Sequence, residues 1–126
     1  MRLGLILKKI SKNLGNSVME KGEVWLIALN DVSGHEQAGT RPAVIISDTQ
    51  TSICIVSPIT SNLQALRFGH VISITPSNEN GLKEESVTMV FQIRAIDKSR
   101  LHKKLGRLDG HSIKKIDEVL KTLLKL

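Results

Sequence analysis

Residues 34–47 read GHEQAGTRPAVIIS, a polar segment bracketed by glycines that runs directly into an apolar strand. Arg41 and Pro42 stand where the polar segment meets the strand. The proline ring fixes its own φ and biases the residue before it towards an extended conformation. We therefore expect Arg41 to be held at the mouth of the strand, facing a loop that suits a polar, anionic ligand. The loop supplies an imidazole, a carboxylate, an amide and a hydroxyl from His35, Glu36, Gln37 and Thr40.

The length and composition indicate one globular domain. The chain has 126 residues, of which 40% are hydrophobic, enough for a single core. Its only cysteine, Cys54, lies in the apolar run ICIV and is predicted to be a buried packing residue. One cysteine excludes an intramolecular disulfide and suits a cytoplasmic location. No apolar run reaches the roughly 18 residues needed to cross a bilayer, so no membrane partner is expected.

The positive charge is concentrated at the two ends of the chain. Residues 1–18 carry +4, residues 19–93 carry −4 and residues 94–126 carry +6, for a net charge of +6. Basic surfaces attract phosphate polymers without regard to sequence. Apolar residues recur at helical spacing in the first segment before glycine and polar residues break the pattern. We therefore divide the chain into a basic amphipathic extension, 1–18, and a compact domain, 19–126. We interpret the extension as a leader or a packed helix rather than a helix for a membrane surface or a partner.

Beyond the extension the pattern favours β-strands. Residues 24–29 are apolar throughout, as in a strand buried on both faces, and Trp25 is predicted to lie in the core. Residues 43–46 and 53–57 predict a hairpin joined through a polar turn. The remaining elements are a half-exposed strand at 70–75, a long strand at 86–96, a helical turn at 97–101 capped by Asp97, and a short strand at 103–108.

The C-terminal segment has the period of a helix. Apolar residues between Ile113 and Leu124 recur every three or four positions and form one face. Asp109 is the predicted N-cap of this helix. The whole pattern predicts a mainly β fold, in which a mostly antiparallel, barrel-like sheet carries a C-terminal α-helix.

A second polar cluster, residues 58–62, follows the second strand of the predicted hairpin. An antiparallel hairpin brings the start of its first strand beside the end of its second, so Arg41 and Thr60 should lie close together. A guanidinium beside a hydroxyl suits a phosphate group. The alternative for Thr60 and Ser61 is an ordinary turn cap. The four histidines are far apart and no Cys-x₂-Cys pair exists, so we predict neither a metal site nor a cofactor.

Five motifs in order along the chain make it resemble the MazF/PemK (Kid-like) toxins of bacterial toxin–antitoxin systems. The resemblance covers about residues 20–124 and leaves residues 1–18 outside it. The motifs are KGEVW at 21–25, EQAGTRPAV at 36–44, PITS at 58–61, Gly81-Leu82 with Ser86, and QIRAIDKSRL at 92–101.

The resemblance implies an SH3-like barrel of the MazF/PemK/CcdB type that forms a homodimer. It implies metal-independent cleavage of single-stranded RNA, mainly mRNA, by an mRNA interferase. It also implies inhibition by a cognate antitoxin whose disordered tail fills the RNA groove, with DNA contacted only indirectly through the antitoxin complex. The family's catalytic arginine and threonine fall on Arg41 and Thr60. The positions expected to bind or shape the RNA are Ser33, His35, Glu36, Gln37, Thr40, Ser61 and Gln92.

The chemistry of metal-free RNA cleavage constrains these roles. The neighbouring 2′-hydroxyl attacks through a phosphorane that gains negative charge, which an arginine stabilises far more readily than it accepts a proton. His35 and Glu36 are therefore better candidates for proton transfer than Arg41. Two alternatives stay open at this point. A CcdB-like gyrase poison has a Trp-Gly-Ile-type tail, whereas this chain ends LLKL. A catalytically silent SH3-like RNA-binding or interaction module would not need both Arg41 and Thr60.

Overall fold

The computed structural model describes residues 18–29 and 39–126. The helical spacing predicted within residues 1–17 and the four loop residues predicted to bind RNA lie outside these ranges. Those loop residues are Ser33, His35, Glu36 and Gln37.

The described chain folds into an antiparallel sheet that carries one α-helix at its C-terminal end, as predicted. The strand order is β4-β5-β3-β2-β1-β7, and β6 pairs with β3 beside β5. Short 3-10 turns at Leu63–Arg67, Val90–Gln92 and Lys98–Arg100 connect strands. The strands are β1 Glu23–Leu29, β2 Gly39–Asp48, β3 Ile53–Thr60, β4 Val71–Ile74, β5 Ser86–Met89, β6 Arg94–Asp97 and β7 Leu101–Arg107, and the helix is α1 Gly110–Leu124.

The strand predicted at 86–96 is wrong as one element, because it is two strands that share one edge of β3. Val87 pairs with Thr60 near the end of β3, and Asp97 pairs with Ile53 at its start. The 3-10 turn at Val90–Gln92 separates the two strands. As a result, the pairing of β6 with β3 is shifted by three residues from the pairing of β5 with β3. The side chain of Val90 is fully buried there, so packing fixes a corner in a segment whose composition alone favours continuous strand.

Two apolar clusters cover the sheet. The first packs under α1 and includes Val24, Val44, Ile59 and Ile116. The second includes Met19, Ile27, Ala43, Ile45, Cys54, Val56 and Ile96, so the predicted burial of Cys54 is confirmed.

The first strand is less buried than the sequence predicted. Trp25 and Leu26 are only partly buried, so β1 is not covered on both faces along its length. The Trp25 indole Nε1–H donates to Glu23 Oε1 at 2.9 Å, and its ring packs at the margin of the second cluster. An indole N–H that must find a partner explains why this residue lies at the edge and not in the centre of the core.

The helix begins and ends with recognisable caps. Asp109 accepts a hydrogen bond from the backbone N–H of Ser112 at 2.7 Å, as its N-cap position predicted. Asp97 caps the turn at Lys98–Arg100 in the same way, through the N–H of Ser99. The helix packs its Ile113 side chain against Gly22, whose φ of +93° is a conformation that favours glycine. Within residues 18–29 and 39–126, no helix is long and apolar enough to span a membrane.

Candidate active site

The β2–β3 hairpin brings Arg41 and Thr60 together. Ala43 pairs with Pro58, and the same register continued by two residues sets Arg41 opposite Thr60. Directly opposed residues of an antiparallel pair share one face of the sheet. Both residues line a cleft of about 530 Å³ at this end of the hairpin. The convergence expected from the hairpin is therefore present, while the catalytic roles of the two residues stay predictions.

The cleft has two walls. The first is formed by the start of β2, the end of β3 and the turn that follows β3. The second is formed by the segment that leads into β5. The lining residues are Arg41, Pro42, Ile59, Thr60, Ser61 and Asn62 on the first wall, and Leu82, Lys83, Glu84 and Ser86 on the second.

The Thr60 side chain caps the turn after β3, as its alternative interpretation proposed. Its Oγ1 accepts a hydrogen bond from the backbone N–H of Asn62 at 3.1 Å. Asn62 in turn accepts from the N–H of Gln64 at 3.0 Å and begins the turn at Leu63–Arg67. A hydroxyl has one donor and two acceptor positions. Capping uses an acceptor position of Thr60, so the O–H can still donate to a phosphate oxygen.

Hydrogen bonds hold in place the segment that leads to the second wall. The buried Asn80 side chain accepts from the N–H groups of Ser77 and Leu82, at 3.0 and 2.9 Å, and donates to the Thr75 carbonyl at 2.9 Å. Gly81 has a φ of +71°, and an added Cβ would lie 2.2 Å from the Leu105 carbonyl oxygen. Only glycine fits this close approach to β7. The residues immediately before the cleft are therefore held against the sheet.

A buried hydrogen bond also ties β5, which carries Ser86 of the second wall, to β3. In the interior, the Ser57 and Thr88 hydroxyls lie 2.8 Å apart and join β3 to β5. Both side chains are fully buried, so this hydrogen bond satisfies two groups that would otherwise carry a desolvation cost.

The other predicted RNA-binding residues fall in different places. Ser61 lines the cleft beside Thr60, and Thr40 is exposed on β2 next to Arg41 but outside the lining. Gln92 is exposed at the end of the turn at Val90–Gln92 and is likewise outside the lining. In the described part of the chain, no group of three or more His, Cys, Asp or Glu side chains is arranged to hold a metal ion.

The charged residues of the second wall were not among the predicted site residues. Lys83 and Glu84 line the cleft, yet they follow a turn and precede a strand, where charged residues are usually solvated. The signal in the sequence is the family motif Gly81-Leu82 with Ser86, which brackets both charged residues.

Comparisons with known proteins identify the family. A sequence model for PemK-like, MazF-like toxins of type II toxin–antitoxin systems matches residues 20–124, and the chain belongs to this family. The chain is 33% identical over 113 residues to Endoribonuclease EndoA of Bacillus subtilis, an alignment that covers 86% of this chain and 97% of that protein. It is 34% identical over 113 residues to Endoribonuclease MazF of Staphylococcus saprophyticus. That alignment covers 86% of this chain and 93% of that protein.

Solved structures confirm the fold. MazF of Deinococcus radiodurans superposes with a TM-score of 0.70 at 22% identity, covering 88% of this chain and 100% of that chain. MazF in the MazE–MazF structure of the same organism gives 0.72 at 22% identity, covering 88% and 99%. The predicted family and the predicted MazF-type barrel with a C-terminal helix are therefore confirmed.

Proposed function

We propose that this protein is a metal-independent endoribonuclease that cleaves single-stranded RNA, chiefly mRNA, as the toxin of a type II toxin–antitoxin system. The observation that carries the proposal is the convergence of Arg41 and Thr60 on one cleft. It is supported by membership of the PemK-like, MazF-like toxin family, whose relatives EndoA and MazF are named endoribonucleases.

The cleft suits transesterification through the RNA itself. The 2′-oxygen attacks the adjacent phosphorus, the bond to the 5′-oxygen breaks, and a 2′,3′-cyclic phosphate and a 5′-hydroxyl result. The guanidinium of Arg41 stabilises the charge that develops on the non-bridging oxygens, and the Thr60 hydroxyl donates to the same oxygens. Either His35 or Glu36 of the loop takes the proton from the 2′-hydroxyl, and the 5′-oxygen takes up a proton from solvent as it leaves. Ser33, Gln37, Thr40, Ser61 and Gln92 are proposed to contact the RNA around the cleaved bond.

The proposal extends to partners and location. One solved relative, from a mycobacterial species, is an endoribonuclease in complex with its cognate antitoxin. We propose that an antitoxin also inhibits this protein by placing an extended segment in the cleft, and that DNA is contacted only through that complex. We further propose that the active form is a homodimer and acts in the cytoplasm, where mRNA is available.

One experiment tests the activity and its chemistry together. Purified protein is incubated with a long single-stranded RNA in EDTA, and the cut sites and product ends are mapped. Cleavage with cyclic phosphate and 5′-hydroxyl ends supports the proposal. The same RNA with a 2′-O-methyl group at the cut position, and the matching DNA, should survive because the nucleophile is missing. Inactivation by EDTA, or rapid cutting of the DNA, contradicts the mechanism. Intact RNA that is nevertheless bound would favour a silent binding module.

A further inference from the structure

The second wall of the cleft carries two charged side chains with no assigned role. Lys83 and Glu84 line the same cleft as Arg41 and Thr60. Neither side chain forms a hydrogen bond or ion pair with another residue in the described part of the chain. Glu84 is the one carboxylate among the described residues of the lining. An ammonium and a carboxylate are therefore available to a ligand that enters the cleft.

The backbone around Glu84 is fixed on both sides, although its side chain is exposed. The buried Ser86 hydroxyl donates to the Glu84 carbonyl oxygen at 2.8 Å, and Ser86 pairs with Ile74 of β4. The N–H of Leu82 is held by Asn80 at 2.9 Å. A side chain carried by a positioned backbone can select a ligand more sharply than one on a freely moving loop.

The position of Glu84 suits contact with a base rather than proton transfer. Val87 is the direct partner of Thr60, and Glu84 precedes it by three residues. The chain bends at Glu84, so this separation is at most about 10 Å, the length of three residues of extended chain. A proton acceptor must come within about 3.2 Å of the reacting 2′-oxygen, which adjoins the phosphate bound by Arg41 and Thr60 in the proposed mechanism. Unstacked bases of single-stranded RNA extend several ångströms from their phosphates and are read along their edges.

The charge of Glu84 determines which bases can form a hydrogen bond with it. A carboxylate is only an acceptor of hydrogen bonds. Adenine, cytosine and guanine each present an exocyclic amino group, whereas the donor on the Watson–Crick edge of uracil is its N3–H, which lies between two carbonyl oxygens that repel a carboxylate. We propose that Glu84 selects, at one nucleotide beside the cleaved bond, a base that bears an exocyclic amino group against uracil. Lys83 donates to a neighbouring acceptor on the same base. The inference rests on the proposed endoribonuclease function.

A carboxylate at this position opposes RNA binding unless it makes a specific contact. It repels the phosphates of every sequence, so it weakens general affinity while it favours one class of base. Glu85 provides a matched control, because it is also exposed and carries the same charge but does not line the cleft.

The first arm of the test compares cleavage maps of one long RNA for the wild type, Glu84→Gln and Glu85→Gln. The Glu84 variant should cut RNA that has uracil at one particular position. Its discrimination against uracil there should fall roughly 10- to 100-fold, the range for a hydrogen bond to a charged group. The Glu85 variant should keep the wild-type map. Both should gain general RNA affinity to a similar degree, because both lose one negative charge.

The second arm uses short RNAs in which the selected base is replaced by the same base without its amino group. The wild type should cut these substrates more slowly by a similar factor, and Glu84→Ala should not distinguish them from the parent RNA. If the wild-type protein cuts RNA but Glu84→Gln and Glu85→Gln give the same cleavage map, the selectivity proposal is wrong. A uniform fall in cleavage at every site for Glu84→Gln also overturns it, because that places Glu84 in the chemical step. If the wild type cuts no RNA, the proposed function itself fails.

Discussion

Lys98 Nζ lies 2.7 Å from Asp48 Oδ1, and only 11% and 5% of the two side chains are exposed. Asp48 Oδ2 also accepts a hydrogen bond from the backbone N–H of Met19 at 2.8 Å, and Oδ1 accepts one from the N–H of Gln50 at 2.7 Å. This one carboxylate therefore joins the segment before β1, the β2–β3 turn and the turn after β6. It lies at the end of the hairpin remote from Arg41, so it should matter for stability and not for catalysis.

Replacement of Asp48 by Asn should destabilise the protein near neutral pH by about 3–5 kcal/mol, because the charge of Lys98 is left buried without its partner. Urea unfolding at pH 7 measures the loss. Cleavage by the folded fraction should be unchanged, which separates this variant from those of the cleft. A loss below about 1 kcal/mol would show that solvent screens the pair as it screens a surface ion pair.

The same pair predicts a dependence of stability on acid. Burial raises the pKa of Asp48, but the ion pair with Lys98 and the hydrogen bonds from the backbone N–H groups of Gln50 and Met19 outweigh it, and the pKa lies below its ordinary value. A carboxyl group with a lowered pKa in the folded state adds stability above its unfolded-state pKa, and this stability is lost as the pH falls through the folded-state pKa. The wild type should therefore lose stability below about pH 4 more steeply than Asp48→Asn. Parallel pH profiles for the two proteins would contradict the assignment.

Arg41→Ala should suppress RNA cleavage by roughly 10²- to 10⁴-fold, because a preorganised positive charge is lost at the transition state. Arg41 is exposed, so the melting temperature should change little. Arg41→Lys should restore activity only in part, because one ammonium cannot reproduce the bidentate guanidinium. Single-turnover cleavage of a short RNA gives these rates. A folded Ala variant that cuts at the wild-type rate would remove Arg41 from the catalytic machinery.

Thr60→Val should lower cleavage by about 10- to 10³-fold, since it keeps the shape of the side chain and removes the hydroxyl. It also leaves the Asn62 N–H without its acceptor, so a small loss of stability of about 1 kcal/mol should accompany it. Thr60→Ser retains the hydroxyl and is the matched control. If Ser and Val variants lose activity equally while both stay folded, the hydroxyl has no role in the reaction.

The sequence was informative where a local rule acted on a few neighbouring residues. Asp97 and Asp109 were predicted as caps because a side-chain oxygen next to a free backbone N–H is a short-range requirement. The convergence of Arg41 and Thr60 followed from the geometry of one hairpin.

The sequence was uninformative where distant residues decide the structure. Val90 turns the chain because its side chain is buried against other elements, and nothing in its neighbours marks a corner. Glu84 faces the cleft because β5 pairs with the end of β3, a contact between residues far apart along the chain. Local propensity cannot supply such a long-range pairing.

The boundary predicted between the extension and the compact domain can be tested by shortening the chain. A protein that begins at Met19 should fold and cut RNA at the same sites. The Met19 side chain is only 3% exposed and packs in the second cluster, and its nitrogen keeps a donor beside Asp48. The loss of residues 1–18 lowers the net charge by four, which should weaken general RNA affinity and flatten its salt dependence.

A second shortened protein, which begins at Lys21, is the control for this test. It removes the buried Met19 side chain and the hydrogen bond to Asp48, so it should be destabilised by about 2–5 kcal/mol, as for the truncation of a core methionine. Thermal melts and cleavage maps of the two shortened proteins and the full chain, at two salt concentrations, give the comparison. If the protein that begins at Met19 melts as low as the one that begins at Lys21, or cuts at different sites from the full chain, residues 1–18 contribute to the domain and the predicted boundary is wrong.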